Sequence, residues 1–183
     1  MRALTVSAEA ADAALLAAWR AGSERAAADL VARHSGALGR FLYAAGAQPA
    51  DLDDLVQETF FRAFRRADGW RADASFRSWL CAIGGNLLKD QFRRRRTWKF
   101  VPLDDRDLPD HADPAADLAA TDAETRLRAA LGKLPRLQRE VFLLRAQQGL
   151  PYTEIAAVLG TTPGAARVHY HHAVRKLKES CHE

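Results

Sequence analysis

With 183 residues, 48% of them hydrophobic and 27% charged, the chain has room for one ordinary soluble domain or two small ones. No apolar run approaches the roughly 20 residues that cross a bilayer. The N-terminus has acids within its apolar part and lacks the order of a secretory leader, so the expected location is cytoplasmic. Two cysteines 100 positions apart, Cys81 and Cys181, make no disulfide framework. The net charge of +4 is unevenly spread. Residues 1–100 carry 16 Lys/Arg against 11 Asp/Glu, residues 101–125 carry one against eight, and residues 126–183 carry ten against four. Two basic blocks flank an acidic one, a distribution suited to a polyanionic partner.

In chain order, residues 9–45 place Leu15, Leu16, Trp19, Leu30, Val31, Leu38, Phe41 and Leu42 at helical spacing. Gly22-Ser23 interrupts them, with Ser23-Glu24 able to start a second helix. Asp51 is expected to N-cap the next helix. Its apolar side holds Leu52, Leu55, Val56, Thr59, Phe60, Ala63 and Phe64, and its charged side Asp53, Asp54, Gln57, Glu58, Arg62, Arg65 and Arg66. Those charges fit either a solvated face or a docking face, and spacing does not separate the two. Asp68-Gly69 breaks this helix, and a loop opens at Trp70. Ser75 then caps a helix whose inner side holds Phe76, Trp79, Leu80, Ile83, Leu87 and Leu88. Gly84-Gly85 in its middle costs about 1 kcal/mol per glycine, which implies a close approach or local weakness. The run Arg93-Arg94-Arg95-Arg96, followed by Trp98 and Lys99, reads as contact with a polyanion. Cations near a loop tryptophan suit single-stranded nucleic acid, where bases stack while the backbone is neutralised.

From Val101 to about Thr121 three prolines and many aspartates give linker composition. Helical spacing resumes with Leu127, Ala130, Leu131 and Leu134, then Pro135 opens a helix carrying Val141 to Leu144 that ends near Gly149. Beyond it Ile155, Ala156 and Leu159 face inward, Gly160 stops a short helix, and Pro163 suits the first turn of the last one. Ala166, Tyr170, Ala173 and Leu177 form its buried stripe, leaving Arg167, His169, His171, Arg175 and Lys178 outside. Two helices about a glycine turn, the second basic outside, fit a helix-turn-helix entering the major groove, though a plain helical hairpin shares the apolar pattern. His169 and His172, with Cys181-His182 nearby, have metal-ligand character without a second matching half, and no metal is expected. No nucleophile–base pair or glycine-rich phosphate loop is present. The expectation is therefore a protein that is not an enzyme, with no cofactor and no small-molecule substrate.

The runs DLVQETFFRAFR and GWRADASFRSWLCAIGGNLLKDQFRRRR resemble the second conserved region of bacterial sigma factors. The run LPRLQREVFLLRAQQGLPYTEIAAVLGTTPGAARVHYHHAVRKLKE resembles their fourth. Both in this order, with only a short acidic link between, look like the extracytoplasmic-function group. The resemblance implies an all-α chain with region 2 at residues 1–100, a flexible acidic linker at 101–124 and a region 4 helix-turn-helix at 125–183. It implies an alternative sigma factor that binds core RNA polymerase and directs promoter-specific initiation. By resemblance Asp54, Leu55, Gln57 and Glu58 lie on the helix docking to polymerase. Trp70, Arg71 and Phe76 belong to the loop that captures a flipped base of the −10 element, and Asn86, Lys89, Arg93 and Arg94 to the helix beside it. Thr162, Arg167, Val168, His169 and His171, with Arg175 from the exposed face, would read the −35 element. Gly84-Gly85 and Val168-His169 depart from the family's usual residues. A separate anti-sigma factor is expected as a further partner. The two domains are expected to be untethered, with polymerase setting their spacing. The competing reading is an autonomous helix-turn-helix regulator, which leaves Trp70 and Arg93 to Arg96 without a purpose.

Overall fold

The computed structural model describes residues 2–70, 74–98 and 122–181, with side chains for 9–70, 74–95 and 125–180. Every regular element described is a helix: α1 (Arg2–Arg20), α2 (Glu24–Ala44), α3 (Pro49–Arg65), α4 (Phe76–Trp98), α5 (Asp122–Gly132), α6 (Arg136–Phe142), α7 (Tyr152–Leu159) and α8 (Pro163–Cys181). A one-turn 3-10 helix, Ala67–Gly69, follows α3, and a π turn, Leu143–Gln147, continues α6. No helix among the described residues is long and apolar enough to cross a membrane. Residues 101–121 of the expected linker lie outside the described residues, and its last three, 122–124, belong to α5 instead.

Local chemistry sets most helix ends. Ser23 caps α2, its hydroxyl accepting from the Ala26 N–H at 3.3 Å, and Ser75 does the same for Ser78 at 3.2 Å ahead of α4. Asp51 is not the cap of α3. Proline at position 49 has its φ already set for a first helical position, so α3 begins there with Gln48 before it. Asp51 falls in the first turn instead, where it meets the Arg95 guanidinium. Gly160 takes φ +66° and closes α7 in the left-handed conformation that glycine adopts without strain.

The first four helices wrap a core of Leu16, Leu30, Leu38, Phe41, Leu42, Phe60, Phe76, Leu80 and Leu88. Helix α4 crosses α2 and α3 at Gly84, where an added Cβ would stand 3.1 Å from Thr59 Oγ1 and 3.3 Å from Leu38 Cδ1 and Leu42 Cδ2. Close approach, rather than local weakness, explains that glycine. Gly84→Val is expected to cost about 1–3 kcal/mol by overpacking, read as a lower urea midpoint; the open site of Gly85 should tolerate Gly85→Ala.

Deeper in the same crossing, Cys81 is 1% exposed, and burial pushes its thiol from 9.0 up to about 12. The unfolded thiol loses its proton first, so this contribution to stability is complete below about pH 9 and declines as pH rises toward about 12. The chain should therefore lose stability over that range more steeply than Cys81→Ala does, as paired urea titrations would record.

Buried Asp12 ties α1 to α2. Burial alone would raise its pKa, but the hydrogen bond and charge of His34 (2.9 Å) and the Arg33 guanidinium (2.8 Å) outweigh burial and lower it below 3.8.

Helices α5 to α8 extend the same apolar cluster with Leu131, Leu134, Val141, Leu144, Ile155, Ala166, Ala173 and Leu177. Leu127, expected on that inner face, is 49% exposed near the start of α5. The two helical subdomains are also not separate bodies. α7 packs on α4, the π turn packs on α2, and Arg128 of α5 lies 3.9 Å over the Tyr43 ring. The expectation of untethered domains is corrected by these contacts.

Candidate promoter and polymerase surfaces

Three surfaces carry the residues singled out in the sequence. On α3, Asp54 and Gln57 are exposed, and Glu58 pairs with Arg62 at 2.6 Å. Leu55 turns the other way and is 7% exposed in the core, so it does not join them at the surface. Phe61 does. It is 55% exposed, one turn beyond Gln57, with the Arg65 guanidinium 5.5 Å from its ring centre. Sequence reading passed over Phe61, although a signal was available. Phe61 is apolar yet falls outside the helical stripe formed by Leu52, Leu55, Val56, Thr59, Phe60, Ala63 and Phe64, on the side of Asp54, Gln57 and Glu58.

The second surface begins at the loop. Trp70 is half-buried, its ring edge-on to Phe76 at 6.0 Å, and its indole Nε1 has no hydrogen-bond partner among the described residues. Phe76 is fully buried, packed between the rings of Trp70, Trp79 and His34. It is a wall behind Trp70 and offers no free ring face to a base. Arg71 lies outside the described residues. Along α4, Asn86, Lys89 and Arg93 recur at three- and four-residue spacing and share one side. Asn86 and Arg94 are exposed, Arg93 meets Asp90 at 2.9 Å, and Lys89 meets Glu140 of α6 at 3.6 Å.

The third surface is the outer face of α8. Thr162 accepts from the Ala165 N–H at 3.2 Å and so caps the helix. Ala166, Ala173 and Leu177 anchor its inner side, with Tyr170 stacked on Phe142 at 5.9 Å. That leaves Arg167, Val168, His171 and Arg175 exposed, Val168 at 54%. His169 is half-buried, and its Nδ1 has no hydrogen-bond partner among the described residues. A cationic helix with one bare methyl-bearing side chain offers bonds to phosphates and base edges, and apolar contact to a thymine methyl. No three potential metal ligands converge among the described residues.

Comparison with known proteins identifies the family. Residues 30–97 match the family described as Sigma-70 region 2, and residues 124–177 match Sigma-70, region 4. The chain is 37% identical over 178 residues to the RNA polymerase sigma factor CnrH of Cupriavidus metallidurans, covering 92% of this chain and 93% of that one. The chain belongs to the sigma-70 family. It is a sigma factor of the extracytoplasmic-function type, directing RNA polymerase to promoters without catalytic chemistry of its own. The ECF RNA polymerase sigma factor SigF of Caulobacter vibrioides is 35% identical, covering 72% of this sigma factor and 71% of its own length. Among solved structures, CnrH in complex with the cytosolic domain of CnrY aligns at a TM-score of 0.71 with 34% identity, over 92% of this chain and 96% of that one.

Proposed function

We propose that this sigma factor divides promoter recognition between its two helical subdomains. Asp54, Gln57, Glu58 and Phe61 on α3 dock to core polymerase. Trp70 with Asn86, Lys89, Arg93 and Arg94 holds the opened −10 strand, Phe76 and Leu55 supporting from within, and Arg71 adds a further cation to the loop. Thr162, Arg167, Val168, His169, His171 and Arg175 read the −35 element in the major groove. The observation that carries this reading is the outer face of α8, where the helix-turn-helix leaves Arg167, Val168, His171 and Arg175 exposed together. Melting draws on binding energy, since stacking an unpaired base on an aromatic ring, about 1–3 kcal/mol per base, offsets the few kcal/mol of unstacking.

A partner protein belongs to the same reading. CnrH, 34% identical, is solved with the cytosolic domain of CnrY bound, and we take a separate anti-sigma factor to hold this chain in a similar way. A factor that works on polymerase and is held by a cytosolic domain acts in the cytoplasm.

Run-off transcription with core polymerase on genomic fragments tests the assignment. Transcripts should appear only when the chain is added. Arg167→Ala and Arg175→Ala should weaken promoter binding, and removing a cation that neutralises one phosphate should reduce the salt slope by about 1. Specific duplex binding without any association with core would instead establish the autonomous regulator.

A further inference from the structure

Tyr152, half-buried at the start of α7, has a ring whose orientation is set by its neighbours. It stands edge-on to Tyr170 of α8 at 6.2 Å, and Tyr170 is in turn stacked on Phe142 of α6 at 5.9 Å. Two guanidiniums approach the ring so fixed. Arg145 comes from the π turn, 5.0 Å from the ring centre, and Arg167 from the second turn of α8, 5.4 Å from it. Arg145 is also held from behind. It lies in the middle of the π turn Leu143–Gln147 and donates to the Leu150 carbonyl at 2.9 Å, across the bend at Gly149, where φ is +71°.

Neither of these guanidiniums has a carboxylate partner among the described residues. Arg62, Arg93, Arg136 and Arg175, by contrast, each pair with an acid on their own helix. Two cations on one ring lie no farther apart than about the 10 Å Debye length of 0.1 M salt, so they repel. Attraction to the ring face offsets part of that repulsion, and an anion between or beside them would remove the rest. Only Arg167 belongs to the reading helix. Arg145 enters from a neighbouring element, the position from which a contact to the DNA backbone sets register without reading sequence. An arginine already laid on a ring also has less rotamer freedom to lose when it binds than one swinging in solvent.

We infer that Tyr152 is a positioning residue for −35 recognition. Its ring holds Arg145 as the cation for a backbone phosphate and Arg167 in the orientation that reads a base edge. The inference rests on the assignment of α8 to the −35 element, and it adds to that surface a cation from outside α8.

The test uses the full chain assembled with core polymerase. It is bound to a promoter recovered by run-off transcription and to fragments carrying each single base-pair change in the −35 element. R167A locates the base pair that Arg167 reads, as the one where discrimination falls about tenfold or more. Y152M keeps an apolar side chain of adaptable shape against Tyr170. It should lose about twofold to fivefold of the discrimination at that same base pair, the scale of an exposed cation–π contact, and none at the others. Y152F should restore the discrimination, because the ring and not the hydroxyl holds the two cations. R145A should weaken every fragment alike and lower the salt slope by about 1. Urea midpoints of each variant accompany the binding data. Y152M that discriminates like the unaltered chain, or that weakens all fragments equally as a packing role would, overturns the positioning role. So does Y152F behaving like Y152M. R145A with an unchanged salt slope overturns the pairing by itself, whether or not Y152M folds. R167A with full discrimination at every −35 base pair overturns instead the assignment of α8 beneath the inference.

Discussion

Phe76→Ala is expected to lower the unfolding free energy by about 3–5 kcal/mol, the largest stability loss of any change near the −10 surface. Its ring is fully buried, between His34 at 5.4 Å, Trp79 at 5.8 Å and Trp70 at 6.0 Å. Removing it leaves a cavity under the loop that two helices cannot close, because α4 is already held against α2 at Gly84. Trp70→Ala separates fold from function. Half-buried at the loop edge, it should cost little in the urea midpoint and about 1–3 kcal/mol in binding a −10 single strand. Urea titration of each variant, alongside oligonucleotide binding by the assembled holoenzyme, measures both quantities. Phe76→Ala with an unchanged midpoint but abolished strand binding would reverse the two roles and place a base against Phe76.

That pair also marks where sequence reading stops. Helix ends were legible because they are decided within a few residues. Ser23, Ser75, Gly160 and Pro163 each act on their own turn of backbone. Asp51 failed as a cap for an equally local reason, the proline two residues earlier. Motif resemblance named Leu55 and Phe76 as site residues without saying which way each side chain points, and both turn inward. Direction depends on which neighbours fill the core, a tertiary matter. The contacts between the subdomains were illegible altogether. Their pairs lie far apart in sequence, Ser75 with Glu154 79 positions away and Ala37 with Gln148 111 away, on either side of the acidic stretch. No periodicity records a pairing of that range. Charge did leave a trace, since Glu140 and Glu154 are two of the four acids in an otherwise basic C-terminal block, and both are used against α4 or its cap.

The side of α3 proposed to face polymerase permits the other large prediction. Phe61→Ala is expected to weaken binding to core polymerase by about 2 kcal/mol or more, the scale of a buried aromatic anchor at an interface, with the urea midpoint nearly unchanged. An aromatic ring 55% exposed among Asp54, Gln57 and Glu58 gains nothing for the fold. It has apolar area to bury once a partner covers it, and the carboxylates around it supply a rim that selects a basic counterpart. Leu55→Ala is the contrasting change. At 7% exposure within the α2–α3 core, it should cost about 2–5 kcal/mol in stability and affect polymerase binding only through the fraction of chain that remains folded. Core binding by each variant, measured at a temperature where both are folded, distinguishes the roles. A Phe61→Ala protein that binds core as tightly as the unaltered chain would move the docking surface off this face of α3. An intact fold in Leu55→Ala without core binding would mean that α3 turns its other side to polymerase and rearranges to do so.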